Sequence, residues 1–134
     1  MRILIDTNIF LEIILAQKKA LEARSLLERT KDHEFFITDY SLHSIGLLLF
    51  RLGRHQSFQD FLEDMVIRAG TSLISLRVED MSSVIQAAQQ YHLDFDDSYQ
   101  FNKAAAKNNL TLVSFDSHFD RTDQGRKAPS EITR

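Results

Sequence analysis

Aspartates follow two of the apolar segments that the sequence presents as buried strands. The segment ILIDTNIF at residues 3–10 runs from branched apolar side chains into Asp6, and LTLVSF at residues 110–115 runs into Asp116. A carboxylate at the mouth of an apolar core is costly unless something binds it. Taken singly, each aspartate has a plain alternative role as a helix cap or a turn residue. The pair points to a shared site only if the two strands are neighbours.

A third aspartate falls on the apolar face of a predicted helix. In LDFDDSYQFNKAAA at residues 93–106, Asp97 has helical spacing to three inward residues, Phe101, Ala104 and Ala105. Its acidic neighbours Asp94 and Asp96 are explained as a cap and a first-turn acid that complement the helix dipole. A solvated cap would not need the buried face, so the placement of Asp97 favours a functional role.

Three carboxylates in one crevice would repel one another and resist ionisation. A hard divalent cation such as Mg²⁺ resolves this conflict, because it takes oxygen ligands and keeps waters for its remaining positions. Such an ion commonly serves phosphoryl chemistry. The five histidines, at positions 33, 43, 55, 92 and 118, show no metal-ligand spacing and are expected to be surface or internally satisfied residues. The sequence has no glycine-rich phosphate loop and no nucleophilic triad pattern.

The elements that must position these acids alternate between strands and helices. Strands are predicted at 2–6, 34–38, 72–76 and 110–115, with helices at 8–16, 17–31, about 39–52, about 58–65, 78–91 and about 95–107. This order implies a mostly parallel sheet with helices on both faces, and ligands of such sheets bind beyond the carboxyl ends of the strands. The tail from Asp120 is weakly patterned, and a short edge strand is expected around Ile132.

The composition fits a single globular domain over residues 1–134. The chain is 43% hydrophobic and 26% charged, and its net charge of −3 gives no overall basic field for nucleic acid. The absence of cysteine excludes disulfides and thiolate metal sites. The opening residues MRILIDT reach a charge too early for a signal peptide, and the apolar run IGLLLF at 45–50 is too short to span a bilayer. We therefore expect a cytoplasmic protein.

Three segments together resemble the PIN-domain family of metal-dependent ribonucleases, which includes VapC-type toxins of bacterial toxin–antitoxin pairs. ILIDTNIF is similar to the opening motif, LDFDDSYQFNKAAA to the helix of the third acid, and LTLVSFDSHF to the closing motif. Their order and the chain length match, so the resemblance spans essentially the whole chain. It implies a three-layer α/β/α domain with a central, mostly parallel sheet of four to five strands. It also implies an acidic pocket for Mg²⁺ or Mn²⁺.

The resemblance assigns roles to particular residues. The metal-binding and catalytic acids of the family match Asp6, Asp97 and Asp116. Polar positions that orient those acids or contact metal water match Thr7, Asn8 and Ser114. Asp120 matches an extra acid of some members, although a turn residue is its simpler explanation.

One position departs from the family pattern. On the helix after the second strand the family usually has a glutamate, and in ITDYSLHSIGLL the aligned residue is Ser44, one helical turn after Ser41. A serine can hold a metal water but brings no charge. Asp39, at the end of the second strand, could reach the pocket, although helix capping is its simpler role. The departure bears on metal affinity and catalysis and leaves the expected fold unchanged.

The resemblance implies a metal-dependent endoribonuclease that cleaves single-stranded RNA, forms a homodimer and is blocked by a small antitoxin protein. Basic residues that could contact the RNA are Arg51, Arg54, Lys103, Lys107 and Arg121. A catalytically weakened module that binds RNA or protein is the alternative that Ser44 favours. A phosphotransferase of the haloacid-dehalogenase type also begins with a strand ending in aspartate, but the second aspartate it needs would stand at Asn8.

Overall fold

A short parallel sheet with a four-residue strand at its centre organises the molecule. The computed structural model describes residues 1–132, apart from the side chains of residues 102–104. The strands are β1 (Arg2–Ile5), β2 (Glu34–Thr38), β3 (Ser72–Ile74) and β4 (Thr111–Val113). They form one parallel sheet in the order β3-β2-β1-β4. Leu4 of β1 pairs with Phe36 of β2 on one side and with Leu112 of β4 on the other. The carboxyl ends of β1 and β4 are therefore adjacent.

Helices fill the connections between the strands. The first half of the chain contains α1 (Thr7–Ile14), α2 (Ala20–Leu27), α3 (Asp39–Arg51) and α4 (His55–Phe61), which continues as a π-helical segment, Leu62–Arg68. The second half contains a 3-10 turn (Val78–Asp80), α5 (Met81–Tyr91), α6 (Phe95–Ser98) with its π-helical continuation Tyr99–Ala106, a 3-10 helix (Ser117–Arg121) and α7 (Pro129–Ile132). Among the helices of residues 1–132, none combines the length and the apolar character needed to cross a lipid bilayer.

The side chains of β1 alternate between two hydrophobic cores. Ile3 and Ile5 pack with residues of α1 to α4, whereas Leu4 packs on the opposite face with residues of α5 and the Tyr99–Ala106 segment. All three side chains are fully buried, as expected for a central parallel strand whose two faces are both covered by helices. The predicted three-layer α/β/α architecture is confirmed.

The end of the chain differs from the prediction. The expected edge strand around Ile132 is wrong, because Pro129–Ile132 forms a helical turn. Proline suits the first turn of a helix, and the Ala128 N–H donates to the Glu131 carboxylate at 3.1 Å, which caps the turn. Pairing with the sheet occurs earlier, as a single parallel bridge between Val113 and Lys127. Within the described residues the sheet thus has four full strands.

Candidate metal centre

Carboxylates from three elements meet at the carboxyl edge of the sheet. Asp6 directly follows β1, Asp116 follows β4, and Asp97 lies in α6. One carboxylate oxygen of Asp97, one of Asp116 and one ring nitrogen of His118 all lie within 4.8 Å of one another. Asp6 lies deeper, with 7% of its surface exposed, and interacts electrostatically with both other aspartates. The structure therefore brings the three predicted acids to one place.

Three donors hold the Asp6 carboxylate. The Thr7 N–H donates to Oδ1 at 2.9 Å, Gln100 Nε2 donates to Oδ1 at 2.8 Å, and the Ser114 hydroxyl donates to Oδ2 at 2.7 Å. Burial raises the pKa of Asp6, the three hydrogen bonds oppose the rise, and the charge of Asp116 adds to it. Asp6 also caps α1, so the same residue is both a helix cap and a member of the candidate site.

The site also disturbs the ionisation of Asp97. Its pKa is raised to about 6, first by burial, then by the charges of Asp94 and Asp116, with a smaller contribution from Asp6. Asp94 caps α6 and accepts from the Asp97 N–H at 2.9 Å, which fixes the like charge nearby. A hydrogen bond to His118 acts in the opposite direction. A group of oxygen donors that resists ionisation in this way fits a bound divalent cation.

His118 is a member of the cluster that sequence reasoning set aside. Its Nδ1 lies 3.2 Å from Asp97 Oδ2 and 3.2 Å from Asp116 Oδ1. His118 is exposed and paired with carboxylates, which agrees with the expected surface or satisfied histidine, but its partners are the acids of the candidate site. No spacing between histidines could reveal it, because its partners are aspartates of two different elements. The available signal was its position two residues after Asp116.

Ser114 connects the two strand-end aspartates. Its Oγ donates to Asp6 and accepts from the Asp116 N–H at 2.9 Å and from Asn8 Nδ2 at 3.2 Å. Asn8 Oδ1 in turn accepts from the Phe115 N–H at 3.2 Å. Asn8 and Ser114 therefore lie beside the two strand-end aspartates, in the hydrogen-bond network that holds Asp6 and the backbone of Asp116.

Gln100 is a buried part of the site that the sequence did not reveal. The side chain is 1% exposed, and its Nε2 donates to Ser41 Oγ at 3.0 Å as well as to Asp6. Its Oε1 accepts from Thr38 Oγ1 at 2.6 Å, and the same Thr38 oxygen caps α3 by accepting from the Ser41 N–H. Ser41 Oγ also meets Thr7 Oγ1 at 2.8 Å. The residue of α3 that joins the Asp6 network is thus Ser41.

Ser44 lies one turn further along α3, beside Tyr40. Burial raises the pKa of Tyr40, its hydrogen bond with Ser44 opposes the rise, and the nearby Asp96 adds to it. The position at which the family usually carries a glutamate is therefore occupied by an uncharged side chain that pairs with a tyrosine.

Asp39 and Asp120, the two further acids considered, have protein partners of their own. Asp39 Oδ1 accepts from the Tyr40 N–H at 2.8 Å and from the Tyr99 hydroxyl at 2.7 Å. Asp120 forms an ion pair with Arg126, with 3.2 Å between Nε and Oδ1. Both side chains are engaged in structural contacts.

Several of the cations suggested as RNA contacts also have protein partners. Lys107 Nζ lies 3.0 Å and 3.1 Å from the two carboxylate oxygens of Asp80. Arg54 and Arg121 donate to backbone carbonyl groups, and Arg51 is exposed. The side chain of Lys103 lies outside the described residues. Lys107, Arg54 and Arg121 therefore have structural contacts within the domain.

Comparison with known proteins identifies the family to which the chain is similar. A family model described as "PIN domain" matches residues 3–125. No protein of the curated set matches the sequence significantly. The structure resembles a toxin–antitoxin complex from Klebsiella pneumoniae (17% identity, 94% of this chain and 96% of that chain, TM-score 0.71). It also resembles VapBC2 from Rickettsia felis bound to a promoter DNA fragment (17% identity, 95% and 97%, TM-score 0.71). A third similar structure is PAE2754 from Pyrobaculum aerophilum (15% identity, 99% and 87%, TM-score 0.69).

Proposed function

Because this chain belongs to the PIN-domain family, whose members are generally nucleases, we propose that it is a metal-dependent endoribonuclease that cleaves single-stranded RNA. The observation that carries the proposal is the group of acids at one edge of the sheet: carboxylate oxygens of Asp97 and Asp116 lie within 4.8 Å of each other, the buried Asp6 interacts electrostatically with both, and the pKa of Asp97 is raised to about 6. Such a group is suited to Mg²⁺ or Mn²⁺, since these ions prefer carboxylate oxygens.

In this proposal each residue has a distinct task. Asp97 and Asp116 hold the ion at the exposed side of the site, and Asp6 does so from the buried side. When bound, the ion supplies charge stabilisation for the phosphodiester and activation of a water molecule. Ser114, Gln100 and the Thr7 N–H keep the Asp6 carboxylate aimed, so that little reorganisation is needed when substrate arrives.

We also propose a partner protein. Two of the similar structures are a toxin–antitoxin complex and the VapBC2 assembly, and the fold of this chain matches theirs over almost its full length. By analogy, this chain would act in the cytoplasm as the toxin, form a homodimer, and be held inactive by a small antitoxin. A small open reading frame directly upstream of the coding sequence, whose product binds this chain and suppresses cleavage, would support the pairing. A monomeric mass measured by light scattering would contradict the proposed homodimer.

The test of the nuclease is cleavage of single-stranded RNA by purified protein with Mn²⁺ or Mg²⁺, before and after addition of a chelator. We expect Asp6→Asn and Asp97→Asn each to lower the cleavage rate by about a hundredfold or more, with circular dichroism unchanged. Asp64→Asn is the matched control, since Asp64 is an exposed acid on the far segment Leu62–Arg68, and it should cleave like wild type. Cleavage that survives chelation or either site variant would remove the metal mechanism.

The second candidate function is a catalytically weakened module that binds RNA or protein. The observation that favours it is the uncharged Ser44, paired with Tyr40 where the family usually has a glutamate. The distinguishing variant is Ser44→Glu. An inactive wild type together with a cleaving Ser44→Glu protein would favour the weakened module, whereas metal-dependent cleavage by wild type would exclude it.

A further inference from the structure

The imidazole of His118 stands between two of the carboxylates. Its Nδ1 is 3.2 Å from Asp97 Oδ2 and 3.2 Å from Asp116 Oδ1. The backbone that carries it is anchored, because the His118 N–H donates to Asp116 Oδ1 at 2.8 Å and the next side chain, Phe119, is fully buried. The first turn of the 3-10 helix Ser117–Arg121 therefore presents the ring nitrogen to both acids.

The spacing allows one hydrogen bond from Nδ1, to Asp97, and it also suits a cation shared by the three residues. A charge-assisted N–H···O contact is about 2.7–2.9 Å long, and Nδ1 carries at most one hydrogen, which cannot point at Asp97 and Asp116 together. An octahedral ion with bonds of about 2.1 Å places adjacent ligand atoms about 3.0 Å apart. The observed separations of 3.2 Å lie close to that ligand spacing.

We propose that His118 is a ligand of the metal centre and makes it prefer Mn²⁺ over Mg²⁺. Both ions bind carboxylate oxygens, but Mg²⁺ is held almost entirely by oxygen ligands and water, whereas Mn²⁺ is a first-row transition-metal ion and accepts an imidazole nitrogen more readily than Mg²⁺ does. A nitrogen donor therefore adds affinity for Mn²⁺ and little for Mg²⁺. The imidazole also adds a ligand to a site in which Ser44 supplies no charge. The inference rests on the proposed metal-dependent function and assigns to His118 a role that the resemblance did not imply.

The direct test is pulsed electron paramagnetic resonance on the protein loaded with Mn²⁺. We expect nitrogen modulation from a coordinated imidazole in wild type and its loss in His118→Asn. His92→Asn is the matched control, because His92 is exposed and its backbone is left-handed, with φ at 55°, a conformation that asparagine tolerates. The His92→Asn protein should keep the nitrogen signal.

The second measurement is the binding affinity of each ion in the absence of RNA. His118→Asn should weaken Mn²⁺ binding by about tenfold or more, since even outer partners of metal ligands contribute that much, while Mg²⁺ affinity changes by less than about twofold. His92→Asn should leave both affinities unchanged. Circular dichroism and thermal unfolding without metal show whether each variant is folded.

The outcomes separate this inference from the nuclease proposal. Mn²⁺ that binds wild type without nitrogen modulation overturns the role of His118 and leaves a metal centre formed by the aspartates. If His118→Asn lowers the affinities for Mn²⁺ and Mg²⁺ equally, the proposal that His118 makes the site prefer Mn²⁺ is overturned. A wild-type protein that binds neither ion removes the metal centre itself, and with it both proposals.

Discussion

At the scale of single residues, the site depends on how fully each buried polar group is paired. Gln100 uses both ends of its amide, with the oxygen on Thr38 and the nitrogen on Asp6 and Ser41. The Thr38 hydroxyl thereby fixes which end of the amide faces the carboxylate. An apolar side chain at position 100 would leave several buried groups without this partner.

We expect Gln100→Leu to lower the free energy of unfolding by about 1–3 kcal/mol, the usual cost of a buried polar group that loses its partner. Metal affinity should also fall, because Asp6 loses one of the donors that aim it. Urea unfolding and calorimetric titration with Mn²⁺ measure the two effects. Gln89→Leu on the exposed side of α5 is the control and should stay within about 0.5 kcal/mol of wild type. Equal stabilities for the two variants would contradict the role given to the network.

The raised pKa of Asp97 predicts a pH-dependent response to metal. A pKa of about 6 in the folded protein, against 3.8 ordinarily, means that the folded state binds the proton more tightly than the unfolded chain does. The stability that this group contributes is therefore complete below pH 3.8 and is lost as the pH rises through about 6. A divalent cation binds the ionised form, so the stabilisation it gives should grow over the same interval.

Thermal unfolding with and without Mn²⁺ between about pH 5 and pH 7.5 measures this response. The increase in Tm on adding metal should be small at the acidic end and larger at the neutral end. Asp97→Asn should remove most of the dependence. An increase in Tm that is the same at every pH would show that Asp97 does not titrate as described.

The three acids and the supporting Asn8 and Ser114 could be predicted from the sequence, whereas Gln100 and His118 could not. Asp6 and Asp116 end apolar runs, and Asp97 shares a helical face with apolar residues, so local pattern was sufficient. The sequence around Gln100 and His118 does not indicate their roles, because each contacts its partners only after separate elements have packed together. Their roles depend on tertiary distances that no spacing within one segment encodes.

At the scale of elements, one ion pair joins the beginning of α5 to the end of the segment that carries Gln100. The Asp80 side chain is 9% exposed and that of Lys107 is 42% exposed, and Asp80 Oδ2 also accepts from the Arg77 N–H at 2.9 Å. Sequence reasoning treated Lys107 as a surface charge available to RNA. Its pairing with a buried acid indicates a structural role that a charge pattern alone does not show.

Lys107→Met should destabilise the domain by about 1–3 kcal/mol, less than for a fully enclosed pair, since the lysine is half-exposed and the pair is partly screened. Arg68→Met breaks the exposed Arg68–Asp64 pair, which has a similar N–O distance of 3.1 Å, and should cost under about 1 kcal/mol. Chemical denaturation of both variants measures the difference. A loss for Arg68→Met as large as that for Lys107→Met would contradict the distinction.

At the scale of the whole molecule, the two hydrophobic cores share one sheet. Alternate side chains of β1 enter opposite cores, so neither core is complete without the strand. The layered architecture could be predicted because strands and helices alternate along the chain. The helical turn at Pro129–Ile132 could not be predicted, because the weak apolar pattern there also allows a strand. Pro129 and the capping by Glu131 favour the helical turn instead. We propose that residues 1–134 form one domain that unfolds as a unit.

Leu4→Ala and Ile5→Ala test whether the domain unfolds as a unit, because each removes a side chain from a different hydrophobic core. Each should cost about 2–5 kcal/mol, as expected for a large aliphatic side chain removed from a packed core. Both should lower the midpoint of the same single transition, followed by far-ultraviolet circular dichroism and by tyrosine fluorescence. Two separated transitions, or a variant that shifts only one probe, would show that the cores unfold independently.

The position of β1 at the centre of the sheet has a consequence for the order of events during protein synthesis. One edge of β1 pairs with β2, which follows soon after it, but the other edge pairs with β4, near the end of the chain. The Asp6 N–H itself donates to the Val113 carbonyl. A nascent chain that stops before Thr111 would keep an open edge on its central strand and would lack Asp116. The three acids can therefore come together only after Asp116 has been synthesised and has emerged from the ribosome.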